Sequence, residues 1–238
     1  GSARMTVSSR EPITAFLPCR RGSERILRKN IRPFAGFDYG LVEIKLNQLI
    51  DCPVIDQVVL STDDDEIIAF AENLPARKLT IHHRDPDLAT SQTSTDQLVG
   101  HAASLIEYGH ILWTHVTSPF FGVDQYAEAV HRYLRALEKG YDSLMTTTEL
   151  KGFIWSDDGP VNYDRSFEKW PRTQTLKPMH EINSAVFLAD VEIYRRMDDR
   201  IGSRPFLYAV DPIRAIDIDW PRDFNFAQAL VDAGVATP

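Results

Sequence analysis

Apolar runs typical of buried strands alternate with helix-like stretches along most of the chain, and this alternation restricts the fold more than any other feature. The predicted strands are Ile13–Leu17, Gln57–Ser61, Leu79–His82, His110–Val116, Asp142–Thr148, Asn183–Leu188 and Ile213–Ile218. The predicted helices are Leu41–Ile50, Asp64–Glu72, Thr95–Glu107, Asp124–Lys139 and Phe224–Val231. Such an order predicts an α/β fold whose mainly parallel sheet is covered on both faces. Ligand sites then lie at the carboxyl ends of the strands.

One stretch departs from this rhythm. Residues 149–180 are rich in Trp, Pro, Asp and Lys and show no clear helix or strand period. Such a segment is too long for a connecting loop without a function in a compact domain. We interpret them as an excursion that builds substrate pocket, subunit contact or both. Residues 1–12 read as a tag remnant and flexible N-terminus, and 13–238 as a single domain.

The charge balance limits the partners. With a formal net charge of -8, the chain lacks the broad positive field that nucleic acids and membrane surfaces require. Cys19 and Cys52 are the only cysteines, too few for a disulfide framework and wrongly spaced for structural zinc. No apolar run is long enough to cross a bilayer and no signal peptide is recognisable, so we expect a cytoplasmic protein.

A basic loop follows the first predicted strand. The segment CRRGSERILRKN brings five cations to the strand's carboxyl end, namely Arg20, Arg21, Arg25, Arg28 and Lys29. Gly22 and Ser23 let backbone amides face an anion there. The loop fits neither the GxxxxGK[ST] nor the GxGxxG pattern, because it holds one glycine and its charge comes from side chains. A triphosphate cradle and a solvated basic turn both remain open on this evidence alone.

A pair of acids stands near the other end, in AIDIDWPRDF. Asp217 and Asp219 alternate with apolar residues, so on a strand both carboxylates point to the same face. Two such carboxylates repel each other unless a cation lies between them, and hard oxygen ligands suit Mg²⁺. An edge strand with solvent-facing acids is the alternative.

Short polar residues end two further predicted strands. Ser61, Thr62 and Asp63 stand where a base or ribose would bind, although Thr62 or Asp63 would also cap the next helix. Arg84 follows another strand in HRDPDLATSQTSTD, and Thr95 opens a helix.

Six segments, taken in order across most of the chain, resemble those of the acylneuraminate cytidylyltransferase family. They are LPCRRGSERILRKNI, VVLSTDDDEI, HRDPDLATSQTSTD, VTSPF, NSAVFL and DIDWPRDF. This resemblance implies a Rossmann-like nucleotidyltransferase fold and a reaction that needs CTP and Mg²⁺. It also implies a homodimer formed through the excursion, with no nucleic-acid or membrane partner.

The resemblance further implies roles for individual residues. Asp217 and Asp219 match metal ligands, and Arg20 and Lys29 match catalytic, triphosphate-binding residues. The resemblance carries nucleotide-binding roles over to Arg20, Ser23, Lys29, Arg84 and Thr95. With the loop and strand-end residues, the full predicted nucleotide-binding set is Arg20, Gly22, Ser23, Lys29, Asn30, Ser61, Asp63, Arg84 and Thr95. Asn183 stands where the family usually has Asn-Gly-Ala, a nucleotide-sugar contact.

Departures from the family pattern concern the acceptor. His115 occupies the place of a glutamine that contacts the sugar acid in many family members, and GFDYGL replaces the common Gly-Lys-Pro-Leu. Within the excursion, Arg165, Lys169 and Arg172 are candidates to grip a carboxylate, and Arg172 is the expected substrate-binding residue. We assign no metal role to the scattered histidines.

The expected reaction is activation of a nonulosonic (sialic-type) acid with CTP. Legionaminic, pseudaminic, deaminated nonulosonic and 3-deoxy-octulosonic acids are alternative acceptors. A glycosyltransferase with an Asp-x-Asp metal site is a more remote alternative, because its donor would not explain a basic triphosphate loop. A non-catalytic nucleotide sensor would not need the acid pair.

Overall fold

The computed structural model describes residues 10–22 and 25–238. Its strands are β1 Ile13–Cys19, β2 Gln57–Thr62, β3 Leu79–His83, β4 His110–Trp113, β5 Ser143–Leu150, β6 Trp155–Ser156, β7 Gly159–Pro160, β8 Met179–Asp190 and β9 Pro205–Ala209. Its helices are α1 Gly40–Asp51, α2 Asp65–Glu72, α3 Thr95–Leu105, α4 Val123–Glu138, α5 Val191–Met197 and α6 Pro221–Asp232, with short 3-10 turns at Pro86–Leu88 and Thr173–Thr175.

Seven strands form one sheet in the order β3-β2-β1-β4-β8-β5-β9. Every pairing is parallel except the two that β8 makes with β4 and β5. The predicted mainly parallel α/β fold is therefore confirmed. Because β1, β2, β3 and β4 run in the same direction, their carboxyl ends meet at one edge of the sheet.

Two apolar layers cover the sheet, as the alternation in β1 illustrates. Ala15 and Leu17 pack in a layer with α1 and α4, whereas Phe16 packs in a second layer with α3 and α5. In the second layer the rings of Phe16 and Trp113 meet edge to face, with centroids 4.9 Å apart. All of these strand side chains are almost fully buried.

The prediction of a strand at Ile213–Ile218 is wrong. Asp211 and Pro212 start a turn there, in which the Asp211 carboxylate accepts the Ile213 amide at 2.8 Å, and residues 216–219 have no regular structure. The last strand of the sheet is instead β9, which lies half-buried at the edge and shows no clear alternation. Helix α5 was also missed, because it is only seven residues long.

The excursion between β5 and β8 carries the small β6-β7 hairpin. Asn162 ties its base together, accepting the Ile154 amide at 3.0 Å and donating to the Gly152 carbonyl at 2.9 Å. Phe167 and Trp170 remain 90% and 71% exposed. The excursion therefore presents an aromatic surface to its surroundings.

Most of the predicted flexible N-terminus, residues 1–9, lies outside the described residues. Arg10 is held in place, since its guanidinium pairs with Asp56 at 2.7 Å and donates to the Val54 carbonyl. Within the described ranges, no helix is both long and apolar enough to pass through a bilayer.

Candidate active site

A cavity of about 520 Å³ opens where β1, β3 and β4 end. It brings together nine of the residues predicted from sequence: Arg20, Gly22, Lys29, Asn30, Arg84, Thr95, His115, Asp217 and Asp219. Its remaining walls come from Pro18, Cys19, Arg25, Ser91, Leu98, Trp113, Val116, Thr117, Ser184 and Arg200. One pocket therefore contains cations, carboxylates and apolar surface.

The basic loop after β1 forms the first wall. Asn30 fastens it by donating to the Arg20 carbonyl at 2.9 Å, and Asp63 accepts the Arg21 amide at 2.7 Å. Asp63 therefore contacts the loop and does not line the cavity. Gly22 faces the cavity, whereas the predicted contact Ser23 lies outside the described residues.

The loop is also connected to the segment that follows the acid pair. The Arg25 guanidinium lies 4.2 Å from the centroid of the Trp220 ring, a cation-π distance. Arg28 instead turns away to pair with Glu66 on α2.

Arg84 forms a second wall and is almost fully buried. Its guanidinium donates to the carbonyls of Ser61 at 2.9 Å and Leu88 at 3.0 Å, while Nε has no hydrogen-bond partner among the described residues. Ser61 thus supports Arg84 through its carbonyl, and its buried hydroxyl lies 2.8 Å from His101 Nε2. Thr95 is the exposed first residue of α3, whose N-terminus a capping box on Ser94 closes.

The acid pair faces the basic loop. Asp217 and Asp219 share the cavity although they lie on an irregular segment and not on a strand. Two contacts fix that segment: the Ile218 amide donates to the Thr117 carbonyl at 2.9 Å, and the Asp219 amide donates to the Asp223 carboxylate at 3.1 Å. Both carboxylates therefore reach the same cavity without the support of a strand.

The two carboxylates of the acid pair influence each other electrostatically. Burial, together with the neighbouring carboxylate of Asp219, raises the pKa of Asp217 to about 6, although hydrogen bonding to Thr117 opposes the shift. Its Oδ1 is buried without a hydrogen-bond partner in the described part of the chain. Burial lowers the pKa of Lys29, and the carboxylates of Asp219 and Asp217 act in the opposite direction. Lys29 therefore lies within the field of the acid pair.

The far wall comes from β4, β8 and the segment after α5. Burial, with Arg200 and two lysines nearby, lowers the pKa of His115 to about 3, so His115 is neutral at neutral pH. Ser184 lies in an irregularity of β8, with a φ of 61° in the left-handed region. Ser184 and Arg200 were not predicted, because neither belongs to a sequence motif with a chemical signature.

Two predicted substrate contacts lie outside the cavity of this chain. Asn183 donates to the Thr148 hydroxyl at 3.2 Å and accepts the Ala185 amide, so it shapes the irregularity in β8. Arg172 is exposed on the excursion, where its carbonyl accepts the Thr175 amide.

Comparison with known proteins decides the family. The sequence model described as cytidylyltransferase matches residues 14–230, nearly the whole chain. The chain belongs to the cytidylyltransferase family. Members are nucleotidyltransferases that use CTP, and a basic loop lines the cavity of this cytidylyltransferase.

Curated relatives agree with this membership. A pseudaminic acid cytidylyltransferase of Campylobacter jejuni serotype O:2 is 25% identical over 226 residues, covering 90% of this chain and 94% of the relative. An N-acylneuraminate cytidylyltransferase of Streptococcus agalactiae serotype III is 26% identical over 222 residues, covering 88% of this chain and 51% of that protein.

Solved structures share the fold at lower identity. A 4-diphosphocytidyl-2C-methyl-D-erythritol synthase from Anaerococcus prevotii has a TM-score of 0.66 at 16% identity, with 93% of this cytidylyltransferase and 99% of that chain covered. A CMP:2-keto-3-deoxy-manno-octonic acid synthetase complexed with CTP has a TM-score of 0.63 at 13% identity, with 94% and 99% covered. At these identities the likeness concerns the fold alone.

Proposed function

We propose that this cytidylyltransferase activates a nonulosonic (sialic-type) acid with CTP, giving the CMP-sugar and pyrophosphate. The observation that carries the proposal is that one cavity joins the basic loop, Arg84 and the acid pair. The names of the two curated relatives point to acceptors of the same class, a pseudaminic and an N-acylneuraminic acid.

The basic loop suits the leaving group. As a hydroxyl oxygen of the sugar acid bonds to the α-phosphorus, the bond to the bridging oxygen breaks and negative charge develops on pyrophosphate. Arg20 and Lys29 lie where they can neutralise that charge. Arg84, with a free Nε, is placed to hold the nucleotide on the other side of the loop.

The acid pair fits Mg²⁺. Two neighbouring carboxylates, one of them with a buried oxygen that lacks a donor, form the hard, anionic ligand set that this ion takes together with substrate phosphates and water. When bound by Asp217 and Asp219, Mg²⁺ neutralises charge on the reacting phosphoryl group. Lys29 balances part of the same charge.

His115 fits a role in hydrogen bonding to the acceptor. A neutral imidazole offers one donor and one acceptor nitrogen, which suits a sugar hydroxyl better than a carboxylate. Since His115 replaces the expected glutamine, the acceptor within the class is open among N-acylneuraminic, pseudaminic, legionaminic, deaminated nonulosonic and 3-deoxy-octulosonic acids.

We further propose a cytoplasmic homodimer. The exposed aromatic side chains of the excursion favour a subunit contact, because Phe167 and Trp170 have no core of their own to cover them. Two buried free thiols, Cys19 and Cys52, suit a reducing compartment, and CTP is a cytosolic substrate.

A panel assay tests the proposed function. Purified protein is incubated with Mg²⁺, each candidate acid, and CTP or a purine triphosphate, and pyrophosphate release is measured. We expect release with CTP and at least one nonulosonic acid, and little with ATP or GTP. Release that is independent of any acid, or absent with every acid, contradicts the proposal. Consumption of a nucleotide sugar without pyrophosphate would instead favour the glycosyltransferase alternative.

A further inference from the structure

Arg200 is a half-buried cation to which the proposed reaction assigns no role. It follows α5 and lines the far wall of the cavity. Its guanidinium carbon lies 3.7 Å from the ring centroid of Phe187 and 4.8 Å from that of Trp113. Burial lowers the pKa of Arg200, since these apolar rings replace water around the charge.

No carboxylate pairs with this guanidinium among the described residues. The adjacent Asp199 accepts the backbone amide of Arg200 at 2.7 Å and makes no ion pair with its side chain. Arg195 on α5 shows the contrast, because it is exposed and pairs with Glu192. A partly desolvated cation without a partner is unfavourable, because charges removed from water in proteins are usually paired, and a bound anion would supply that pair.

Unused donors lie beside the guanidinium. The indole Nε1 of Trp113 and the hydroxyl of Tyr194 are buried without hydrogen-bond partners in the described part of the chain. Their rings stack with centroids 6.4 Å apart, and the charge of Arg200 acts on the Tyr194 hydroxyl. Ser184 adds a hydroxyl to the same cavity. Trp113, Ser184 and Arg200 line the cavity here and Tyr194 does not, so this end of the cavity offers the Ser184 hydroxyl and one formal positive charge.

The position separates this anion site from the triphosphate. Arg20, Arg25 and Lys29 line the cavity from the loop after β1, whereas Arg200 belongs to the wall formed around β4 and β8. A planar guanidinium matches a carboxylate with two parallel hydrogen bonds. The proposed acceptor carries one carboxylate, and the phosphates already have a basic loop.

We propose that Arg200 binds the carboxylate of the sugar acid, within the same subunit that supplies Asp217 and Asp219. The inference rests on the proposed function and deepens it. It gives the acid a carboxylate site that does not depend on Arg172 of the exposed excursion.

Kinetics with two forms of the acceptor test this assignment. The acid that wild type activates best is compared with its carboxamide, using wild type and Arg200→Gln. We expect Arg200→Gln to raise KM for the acid on the order of 10- to 100-fold, the scale of a lost charge-assisted hydrogen bond. With wild type, KM should be higher for the carboxamide than for the acid by a similar factor. Arg200→Gln should raise KM for the carboxamide little further, because the variant and the carboxamide lack the same interaction.

Controls separate this role from general damage to the site. The dissociation constant for CTP should stay within about twofold of wild type in Arg200→Gln. Arg196→Gln, at an exposed position of α5, should leave KM for the acid and the dissociation constant for CTP unaltered. Should Arg200→Gln fold poorly, Arg200→Lys keeps the charge but loses the planar fork, and its KM for the acid should rise by a smaller factor.

Three results would overturn the assignment. In the first, the increases in KM caused by Arg200→Gln and by the carboxamide are independent and multiply. In the second, KM for the acid is unchanged in a folded variant. In the third, the affinity for CTP falls as much as the affinity for the acid. If wild type activates no acid of the panel, the proposed function itself fails and the assignment fails with it, whereas an active wild type with an indifferent Arg200 overturns the assignment alone.

Discussion

Asp217 keeps a buried carboxylate oxygen without a hydrogen-bond donor, next to a second carboxylate. Such an arrangement is unfavourable for stability and is typical of a site that binds a cation. The change Asp217→Asn keeps the size of the side chain and removes one negative charge, so it separates the ligand role from a structural one.

For Asp217→Asn we expect opposite effects on stability and turnover. Without metal, the free energy of unfolding should rise, because repulsion between the two acids is relieved. Added Mg²⁺ should raise the melting temperature of wild type but no longer that of the variant, and turnover should fall by roughly a hundredfold or more. Thermal unfolding in EDTA and in Mg²⁺ measures the stability, and pyrophosphate release measures the turnover. Asp157→Asn on the exposed hairpin is the charge-matched control. Equal responses to Mg²⁺ in wild type and Asp217→Asn would contradict the metal role.

His101 links the site to pH. It packs against Phe16 and His82, lies 2.8 Å from the Ser61 hydroxyl, and is near the charged Arg84. Burial, then the fields of His82 and Arg84, lowers the pKa of His101 to about 4. The unfolded chain therefore binds a proton near pH 6.5 that the folded protein does not accept until about pH 4.

Stability should consequently fall as the pH is lowered from 6.5 towards 4. His101 alone contributes a slope of at most about 1.4 kcal/mol per pH unit, and His101→Gln should remove that share. Urea unfolding at a series of pH values measures the slope, with His131→Gln at an exposed position of α4 as the matched control. An unaltered slope in His101→Gln would show that its titration does not matter for folding.

At the scale of elements, α1 supports the loop between β4 and α4. Lys45 is completely buried, and its ammonium donates to the carbonyls of Ser118 and Phe121 and to the Tyr126 hydroxyl, all within 2.8 to 2.9 Å. The same loop carries His115 and Thr117, and the Thr117 carbonyl holds the acid-pair segment through the Ile218 amide. A buried lysine on a helix thus sets the position of two walls of the cavity.

The variant Lys45→Met should affect both folding and turnover. It leaves three acceptors without their donor, and we expect a loss of roughly 2–5 kcal/mol in the free energy of unfolding, reduced by the removal of a buried charge. Turnover should fall as well, because His115 and the acid pair lose their support. Lys78→Met is the control: Lys78 also donates to two carbonyls, of Cys52 and Ile55, but lies away from the cavity. If turnover fell as much in Lys78→Met as in Lys45→Met, lost stability alone would explain the lower turnover of Lys45→Met.

At the scale of the whole molecule, the excursion is the most exposed apolar region of the described chain. Arg165 lies between the rings of Trp155 and Trp170, 5.7 and 5.2 Å from their centroids, so the aromatic side chains are held in place although uncovered. An ordered and exposed aromatic surface of this kind is typical of a subunit interface.

We expect the wild type to sediment as a dimer at micromolar concentration. The double change Phe167→Ser and Trp170→Ser should shift it to a monomer with unaltered circular dichroism, because burial of such side chains contributes about 1.5–3 kcal/mol each. Tyr108→Ser, 64% exposed ahead of β4, is the control and should leave the dimer intact. A monomeric wild type would contradict the dimer.

The sequence by itself determined the fold class and most of the cavity. Strand and helix periods are local properties, so the alternation predicted a mainly parallel sheet, and the ends of its strands located Arg20 and Arg84 at one edge. His115 was predicted from the family resemblance alone. The acid pair was also predicted, although for a partly wrong reason, because the segment that carries it lines the cavity without being a strand.

Only the tertiary structure decided the rest. The antiparallel direction of β8 and the edge position of β9 depend on pairing between strands far apart in the chain. Arg200 belongs to no local pattern, and it becomes a candidate ligand only because the rings of Trp113 and Phe187 pack against it in the cavity wall while no carboxylate of the described chain pairs with it. Burial and missing partners are properties of the packed molecule, and local residue patterns do not specify them.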